Sequence, residues 1–303
     1  MLVSGALSLT PSAADGDGDR GIRAGGKTGV NSNVIDYITI SSIGNATDFG
    51  DLTYARETTS ATSNGTTGRG VVGGGEGAAT VNIIDYISVL TTGNATDFGN
   101  LTVSRHDLNA LSNAASDRGV FVGGSGTTMD YITISTTGNA IDFGDMSVGR
   151  NFPAATSNGT NDRGIMLGGY SGGDTDTIDY ITISTTSNAT DFGDLLTAGY
   201  GDDATSNGTN ERAVVHQGNN NTIEYITINT TGNSIDFGNL TVARTTSRAY
   251  SNGTNDRGCF AGGHTSGDTI DYITISSTGN ATDFGNLTES VKHFGATSNA
   301  GGN

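Results

Sequence analysis

Two acidic positions recur six times along the chain, and their residue type could support catalysis or metal binding. The first set is Asp36, Asp85, Asp130, Asp179, Glu224 and Asp271. The second set is Asp48, Asp97, Asp142, Asp191, Asp236 and Asp283. Paired carboxylates can perform acid–base chemistry, and their oxygens bind hard cations. An enzyme needs one asymmetric site, however, whereas a scaffold needs the same bond in every repeat. We therefore predict structural ion pairs or carboxylate caps on turn N–H groups, with a matching sixfold set of cations as partners: Arg20, Arg69, Arg118, Arg163, Arg212 and Arg257.

Other reactive residue types give no catalytic or metal-binding pattern. The run from Asp15 to Asp19 resembles the start of a calcium loop, but it lacks the closing glutamate and the flanking helices of an EF-hand. The four histidines do not have zinc-site spacing. Cys259, the single cysteine, replaces a Val or Ile of the repeat and is predicted to be a small buried hydrophobe. We expect no cofactor, no bound metal and no enzymatic activity.

The elements that must position these residues are six repeats. Each contains a version of the segment Ile178 to Ile183, followed after a polar turn by a version of Asn188 to Leu195. The central tyrosines lie 45 to 49 residues apart, at Tyr37, Tyr86, Tyr131, Tyr180, Tyr225 and Tyr272. A period of this length holds one four-stranded sheet and predicts a repeat architecture. We expect a single domain over residues 1–303.

Each unit contains the pattern of four short antiparallel strands. In the unit from 154 to 199 we predict strands at 154–157, 163–169, 178–184 and around 191–195, with an Asn158-Gly159 hairpin turn. The third strand is apolar on both faces, so it needs cover on both sides. Ordering the backbone costs about 1–2 kcal/mol per residue, more than a lone sheet of this size recovers. Neighbouring sheets must therefore pack against each other.

Recurring glycine, aromatic and arginine positions characterise the repeats. A diglycine closes the second strand, an aromatic residue lies on the fourth strand, and an arginine follows soon after. The diglycines are Gly25-Gly26, Gly73-Gly74, Gly123-Gly124, Gly168-Gly169 and Gly262-Gly263. The aromatics are Phe49, Phe98, Phe143, Phe192, Phe237 and Phe284. In these features the repeats resemble those of the kelch family. The resemblance implies an all-β, six-bladed β-propeller with one four-stranded antiparallel blade per repeat. The chain departs from the family in having Phe where kelch repeats usually have Trp, and Gln217-Gly218 interrupts the diglycine of the fifth unit.

The two ends of the chain both carry a first strand, one near residues 12–20 and one at 296–299. We expect the C-terminal copy to complete the first blade and close the ring, displacing residues 10–15 to its rim. The alternative is that the surplus strand adds to the sheet edge of a neighbouring subunit.

Sequence variation between the repeats indicates which face could bind a ligand. The loops joining strands 1–2 and 3–4 hardly change, whereas the 2–3 loops and the 4–1 crossings differ from unit to unit. Aromatic, histidine and arginine side chains outside the repeat pattern concentrate in or beside the variable set, and such residues are frequent anchors of recognition. The predicted binding residues are His106, Phe152, Tyr170, Tyr200, His216, Arg248, Tyr250, His264, His293 and Phe294.

Charge and resemblance narrow the expected functions. The net charge of −17 argues against nucleic acid, and no apolar run is long enough for a transmembrane helix. The sequence of the repeats is similar to that of repeat proteins of tailed phages of aquatic bacteria. This resemblance implies a virion surface component. We expect an extracellular or virion structural and adhesion module that contacts a cell-surface glycan or receptor, with other virion or fibre subunits, including copies of itself, as partners. The alternatives are an architectural subunit joined by strand exchange and a glycosidase of the propeller type.

Overall fold

A computed structural model describes residues 18–65, 68–124, 126–201, 203–218, 220–264 and 267–300. Within them, 24 β-strands form six four-stranded antiparallel sheets, which are the blades of a β-propeller. The predicted architecture is therefore confirmed. The calcium-like run at 15–17 and the predicted N-terminal strand up to residue 17 lie outside the described residues.

The strands follow one another in chain order with short connections. Those of the first half are β1 (Arg20–Lys27), β2 (Asn31–Thr39), β3 (Thr47–Asp51), β4 (Ser60–Ser63), β5 (Arg69–Gly73), β6 (Ile83–Ser88), β7 (Thr96–Asn100), β8 (Leu108–Ser112), β9 (Arg118–Gly123), β10 (Thr128–Thr133), β11 (Ile141–Asp145) and β12 (Ala154–Ser157). Those of the second half are β13 (Arg163–Tyr170), β14 (Asp174–Thr182), β15 (Thr190–Gly199), β16 (Ala204–Ser206), β17 (Arg212–His216), β18 (Asn220–Thr227), β19 (Ile235–Arg244), β20 (Arg248–Ser251), β21 (Arg257–Ala261), β22 (Thr269–Thr274), β23 (Thr282–Asn286) and β24 (Gly295–Ser298). Short 3-10 helices occupy four of the 1–2 turns, at Ala114–Ser116, Gly159–Asn161, Gly208–Asn210 and Gly253–Asn255.

The C-terminal strand closes the ring within the chain. Blade 1 has the order β24-β1-β2-β3, and blades 2 to 6 each take four consecutive strands. Pairing between β24 and β1 matches Gly21 with Ser298 and Ala24 with Gly295. The expected clasp between the two ends is thus confirmed.

The innermost strands, β4, β8, β12, β16, β20 and β24, pack against one another around the axis. Serine hydroxyls link them in one direction, because each donates to the serine carbonyl of the preceding blade. Ser112 Oγ donates to Ser63 O at 2.7 Å, and Ser157 Oγ donates to Ser112 O at 2.6 Å. The same bond joins Ser63 to Ser298, Ser206 to Ser157 and Ser251 to Ser206.

The hydrophobic core lies between the blades. Six buried clusters are each shared by two neighbouring blades. In β14, Ile178 packs toward blade 5, whereas Ile181 packs toward blade 3. Each such side chain contributes about 1.5–3 kcal/mol on full burial. The prediction that the third strand is covered on both sides is confirmed, and Cys259 is buried in the cluster between blades 6 and 1.

The first acidic set forms buried ion pairs, but the predicted arginine partners were wrong. The pairs, with distances of 2.9 to 3.0 Å, are Arg56–Asp85, Arg105–Asp130, Arg150–Asp179 and Arg244–Asp271. Their arginines come from the 4–1 crossings. The other arginines stack instead, 4.4 to 4.5 Å above the tyrosine rings, in the pairs Arg20–Tyr37, Arg69–Tyr86, Arg118–Tyr131, Arg163–Tyr180, Arg212–Tyr225 and Arg257–Tyr272. A planar guanidinium suits such a stack, and its N–H groups can still donate to carbonyls.

Two blades lack the crossing arginine and compensate differently. In blade 1, Val291 takes its place, and Arg23 of β1 binds Asp36 at 3.1 Å and Glu289 at 2.7 Å. In blade 5 the crossing has Gly199. There Ser234 Oγ donates to Glu224 Oε2 at 2.6 Å, and Gln217 of the interrupted diglycine donates its amide to Leu167 O at 2.9 Å.

Glycine is required where blades approach each other most closely. Gly193 on β15 has a φ of 147°, and a Cβ there would lie 2.5 Å from the carbonyl oxygen of Gly232 in the next blade. The diglycines also adopt positive φ, and in blade 2 the pair that does so is Gly74-Gly75. This pair is shifted by one residue from the predicted Gly73-Gly74, because Gly73 pairs with Ile84 and so occupies the register position that Leu167 has in blade 4.

Candidate ligand-binding face

The 2–3 loops and the 4–1 crossings meet on one face of the propeller, which we call the variable face. There, the residue after the diglycine forms backbone hydrogen bonds to the residue after the crossing arginine position. The observed pairs are Lys27 with Lys292, Glu76 with Glu57, Tyr170 with Asn151 and His264 with Thr245. We call these the presenting pairs. One backbone arrangement therefore displays different side-chain chemistry in different blades.

A ring of strained backbone positions surrounds the axis on the same face. Immediately before the inner strands, φ is positive at Thr58 (52°), Asp107 (60°), Phe152 (52°), Gly201 (88°), Thr246 (62°) and His293 (57°). Non-glycine residues adopt this conformation rarely, and such strain is frequent at functional sites. Backbone bonds connect neighbours in the ring, for example Phe152 N to Asp107 O at 2.7 Å. The backbone positions correspond, but the residue type varies: threonine occurs twice, and aspartate, phenylalanine, glycine and histidine once each.

Aromatic side chains from several blades converge at the mouth of the axis. Phe152 and His293 belong to opposite positions of the ring, yet their ring centroids are 6.1 Å apart. Phe152 lies 5.9 Å from Tyr200, and Tyr200 lies 5.5 Å from Tyr170. Tyr170 and Tyr200 are 42% and 41% exposed. These four residues, which we call the aromatic group, lie at the mouth of the axis, and the two tyrosines offer ring surface to solvent.

Glu57 connects the aromatic group to the lysines. Its carboxylate accepts a hydrogen bond from Lys27 Nζ through Oε1, and its Oε2 lies 3.1 Å from His293 Nδ1. Burial alone would raise the pKa of Glu57, but the hydrogen bonds to Lys27 and His293 outweigh it and lower this pKa. Burial lowers the pKa of His293 despite its bond to Glu57. The contacts with Lys27 and His293 therefore favour the ionised form of Glu57.

Polar side chains fill the axis beneath the aromatic group. Asn109 of blade 3 donates to Asp203 Oδ1 at 2.8 Å and to Pro153 O at 3.1 Å. Burial raises the pKa of Asp203, although the charge of Arg248 opposes this shift. Burial likewise raises the pKa of Asp107, whose Oδ2 lies 2.9 Å from His106 Nδ1. These polar groups form the layer of side chains beneath the aromatic group.

The predicted binding residues separate into surface and interior positions. Phe152, Tyr170, Tyr200 and His293 come together as the aromatic group. His106 and His264 also lie on the variable face, in other blades. The interior positions are His216, Arg248, Tyr250 and Phe294, which are 0 to 3% exposed.

The interior side chains have structural contacts. Arg248 Nε donates to Phe294 O at 2.8 Å, and Tyr250 and Phe294 pack in the core between blades 6 and 1. His216 Nε2 lies 3.0 Å from Asn220 O. At these positions a surface ligand would not reach the side chain.

Sequence reasoning did not single out Lys27, Glu57 or Glu76, which the presenting pairs place on the variable face. The sequence signal that could have identified them is their position in the repeat. Lys27 and Glu76 follow the diglycine of their blades, and Glu57 follows Arg56. Comparing side chains at these two repeat positions would have found all three.

Comparison with models of known protein families gives no match, and a search among curated proteins finds none either. Over the described ranges, no helix is both long and apolar enough to cross a membrane. In the same part of the chain, no cluster of three or more His, Cys, Asp or Glu residues is arranged to hold a metal ion.

Proposed function

We propose that the protein is a non-enzymatic recognition module of a virion or cell exterior, and that it binds a cell-surface glycan through the aromatic group. The observation that supports this best is the chain of ring contacts from Tyr170 through Tyr200 and Phe152 to His293. Aromatic faces pack against the C–H surfaces of sugar rings, and tyrosine adds a hydroxyl at low entropic cost. The kelch-like and phage-like character of the repeats agrees with such a role.

The rigidity of the site favours recognition. Tyr170 is fixed by reciprocal backbone bonds to Asn151 at 2.8 and 2.9 Å. Phe152 is held in a strained conformation by the ring of neighbouring crossings. A surface that is ordered before binding loses little conformational entropy when a ligand arrives.

The hydrogen bonds of Glu57 favour binding over hydrolysis at this carboxylate. A glycosidase places two carboxyl groups on either side of the scissile bond. Both oxygens of Glu57 are already engaged, one by Lys27 and one by His293. Joining of subunits by strand exchange would require the β24–β1 pairing to be broken, since β24 is part of the chain's own first blade.

Binding of the purified protein to an array of oligosaccharides tests the proposal. The Tyr170→Ala/Tyr200→Ala double variant should reduce binding to any recognised glycan by about tenfold or more. Tyr54→Ala is the matched control, because Tyr54 is an exposed tyrosine outside the aromatic group. Unchanged binding by the double variant, or absence of binding to any glycan, would contradict the proposal.

A further inference from the structure

We propose that Lys27 and Lys292 form a subsite for an anionic group, the carboxylate or sulfate of an acidic saccharide, beside the aromatic group. This inference rests on the proposed function and names the class of glycan.

The cationic side chains of the chain are almost all committed to the fold. The sequence has twelve arginines and two lysines. Six arginines stack on tyrosines, five are paired with buried aspartates, and Arg248 lies in the interior. Both lysines occur in the same presenting pair. The chain has a net charge of −17, and its two lysines lie together at this one position.

The backbone holds the two lysines side by side. Lys27 N donates to Lys292 O at 2.8 Å, and Lys292 N donates to Lys27 O at 3.2 Å. Like charges on directly opposed residues repel each other. Glu57 pairs with Lys27, whereas Lys292 has no ion-pair partner among the residues that the structure describes. An anionic ligand group would supply Lys292 with a counter-ion.

The lysines border a concavity of about 220 Å³. Gly29 and Gly263 contribute backbone to its lining, and His264 and Ser290 contribute polar side chains. The space is large enough for a carboxylate or sulfate with part of its sugar. Ammonium groups bind such anions through charge-assisted hydrogen bonds.

The concavity is connected to the aromatic group through Lys292 and Glu57. Lys292 precedes His293 directly, and His293 faces Phe152 across the mouth. Lys27 reaches the same region through Glu57, which contacts His293. A saccharide that stacks on the tyrosines and extends over Phe152 would therefore bring a following acidic unit to the lysines.

Binding should be measured with dextran oligosaccharides, dextran sulfate and polygalacturonate, which represent neutral, sulfated and uronate saccharides. The wild-type protein should bind one of the acidic probes about tenfold more tightly than dextran. Lys292→Gln should remove this advantage and leave binding to dextran unchanged. Thr92→Glu is the control for net charge, because Thr92 is exposed in a 3–4 turn on the opposite face.

The outcomes separate this inference from the proposed function. Equal binding of neutral and acidic probes, or acidic binding that Lys292→Gln does not alter, would overturn the subsite alone. Acidic binding that requires Lys292 but survives Tyr170→Ala/Tyr200→Ala would overturn the aromatic site and keep the subsite.

A second measurement does not depend on any sugar. Sulfate at constant ionic strength should raise the melting temperature of the wild type more than that of Lys292→Gln, because a ligand that binds the folded state stabilises it. The general stabilising effect of sulfate is common to both proteins and cancels in the comparison. An equal rise in both would count against the subsite.

Discussion

The side chains of Arg56 and Asp85 meet at 3.0 Å with both fully buried. The carbonyl of Arg56 also accepts a hydrogen bond from Gly26 N in blade 1, while Asp85 lies on β6 of blade 2. The crossing between these blades is thus fixed at both ends. Repeated around the ring, this arrangement positions the residues of the presenting pairs.

Removing one partner of this buried ion pair should be strongly destabilising. Asp85→Ala leaves the Arg56 charge buried, and we expect a loss of about 3–5 kcal/mol in the free energy of unfolding, measured by urea denaturation. The Arg56→Met/Asp85→Leu double variant should lose less. Asp48→Ala is the control, since Asp48 is exposed, and should change stability by about 0.5 kcal/mol at most. A similar small effect for Asp85→Ala would show that the pair does not stabilise the ring.

Deleting residues 295–303 should open the ring. The deletion removes β24 and the bond from Arg20 N to Asn299 Oδ1, at 2.7 Å, and leaves β1 with an unpaired edge. Unpaired strand edges associate with other chains. We expect a lower melting temperature and association that increases with concentration, measured by calorimetry and light scattering. Deleting only 301–303 provides the control, and equal melting temperatures for the two deletions would refute a stabilising clasp.

Asp203 should make stability depend on pH. Burial raises the pKa of its carboxyl in the folded state, against the opposing charge of Arg248. Between the unfolded and folded pKa values, the folded state binds more protons, so this group makes stability fall as pH rises through that interval. Asp203→Asn should flatten the dependence above the ordinary aspartate value of 3.8. Denaturation midpoints of both proteins over a pH series would test this, and parallel curves would be the contrary result.

The thiol of Cys259 should report the opening of the boundary between blades 6 and 1. Its side chain is fully buried, and burial raises the thiol pKa well above its usual range. Because the thiolate is the reactive form, we expect very slow reaction with a thiol reagent in the native protein. The rate should rise with urea in parallel with unfolding measured by circular dichroism. Rapid modification without denaturant would show that this boundary opens locally.

The fold was largely readable from the sequence because its signals are local and repeated. The tyrosine spacing predicted the number of blades, and the apolar residues on both faces of the third strand predicted that it is covered on both sides. The surplus first strand predicted the closure of the ring. The arginine partners were not readable. Four blades have both a crossing arginine and a second-strand arginine near the same aspartate, and burial decides which guanidinium reaches it, as Arg150 does for Asp179 while Arg163 stacks on Tyr180.

The candidate site was only partly readable for a different physical reason. Loop variation identified the face, but the direction of a side chain depends on strand register, and a shift of one residue reverses it. Tyr250 therefore turned out to be part of the core although it lies near the variable face. The contact between Phe152 and His293 joins opposite sides of the ring, and no local pattern encodes such a distant pairing.

Ring closure also determines how the propeller would be carried on a larger assembly. Gly18 and Ala300 lie next to each other beside the axis, together with Gly159 and Gly253 of the 1–2 turns. The described part of the chain thus begins and ends on the face of the 1–2 turns. A tether attached there would hold the propeller by the face of the 1–2 turns. The variable face, with its tyrosines and lysines, would then point away from the tether.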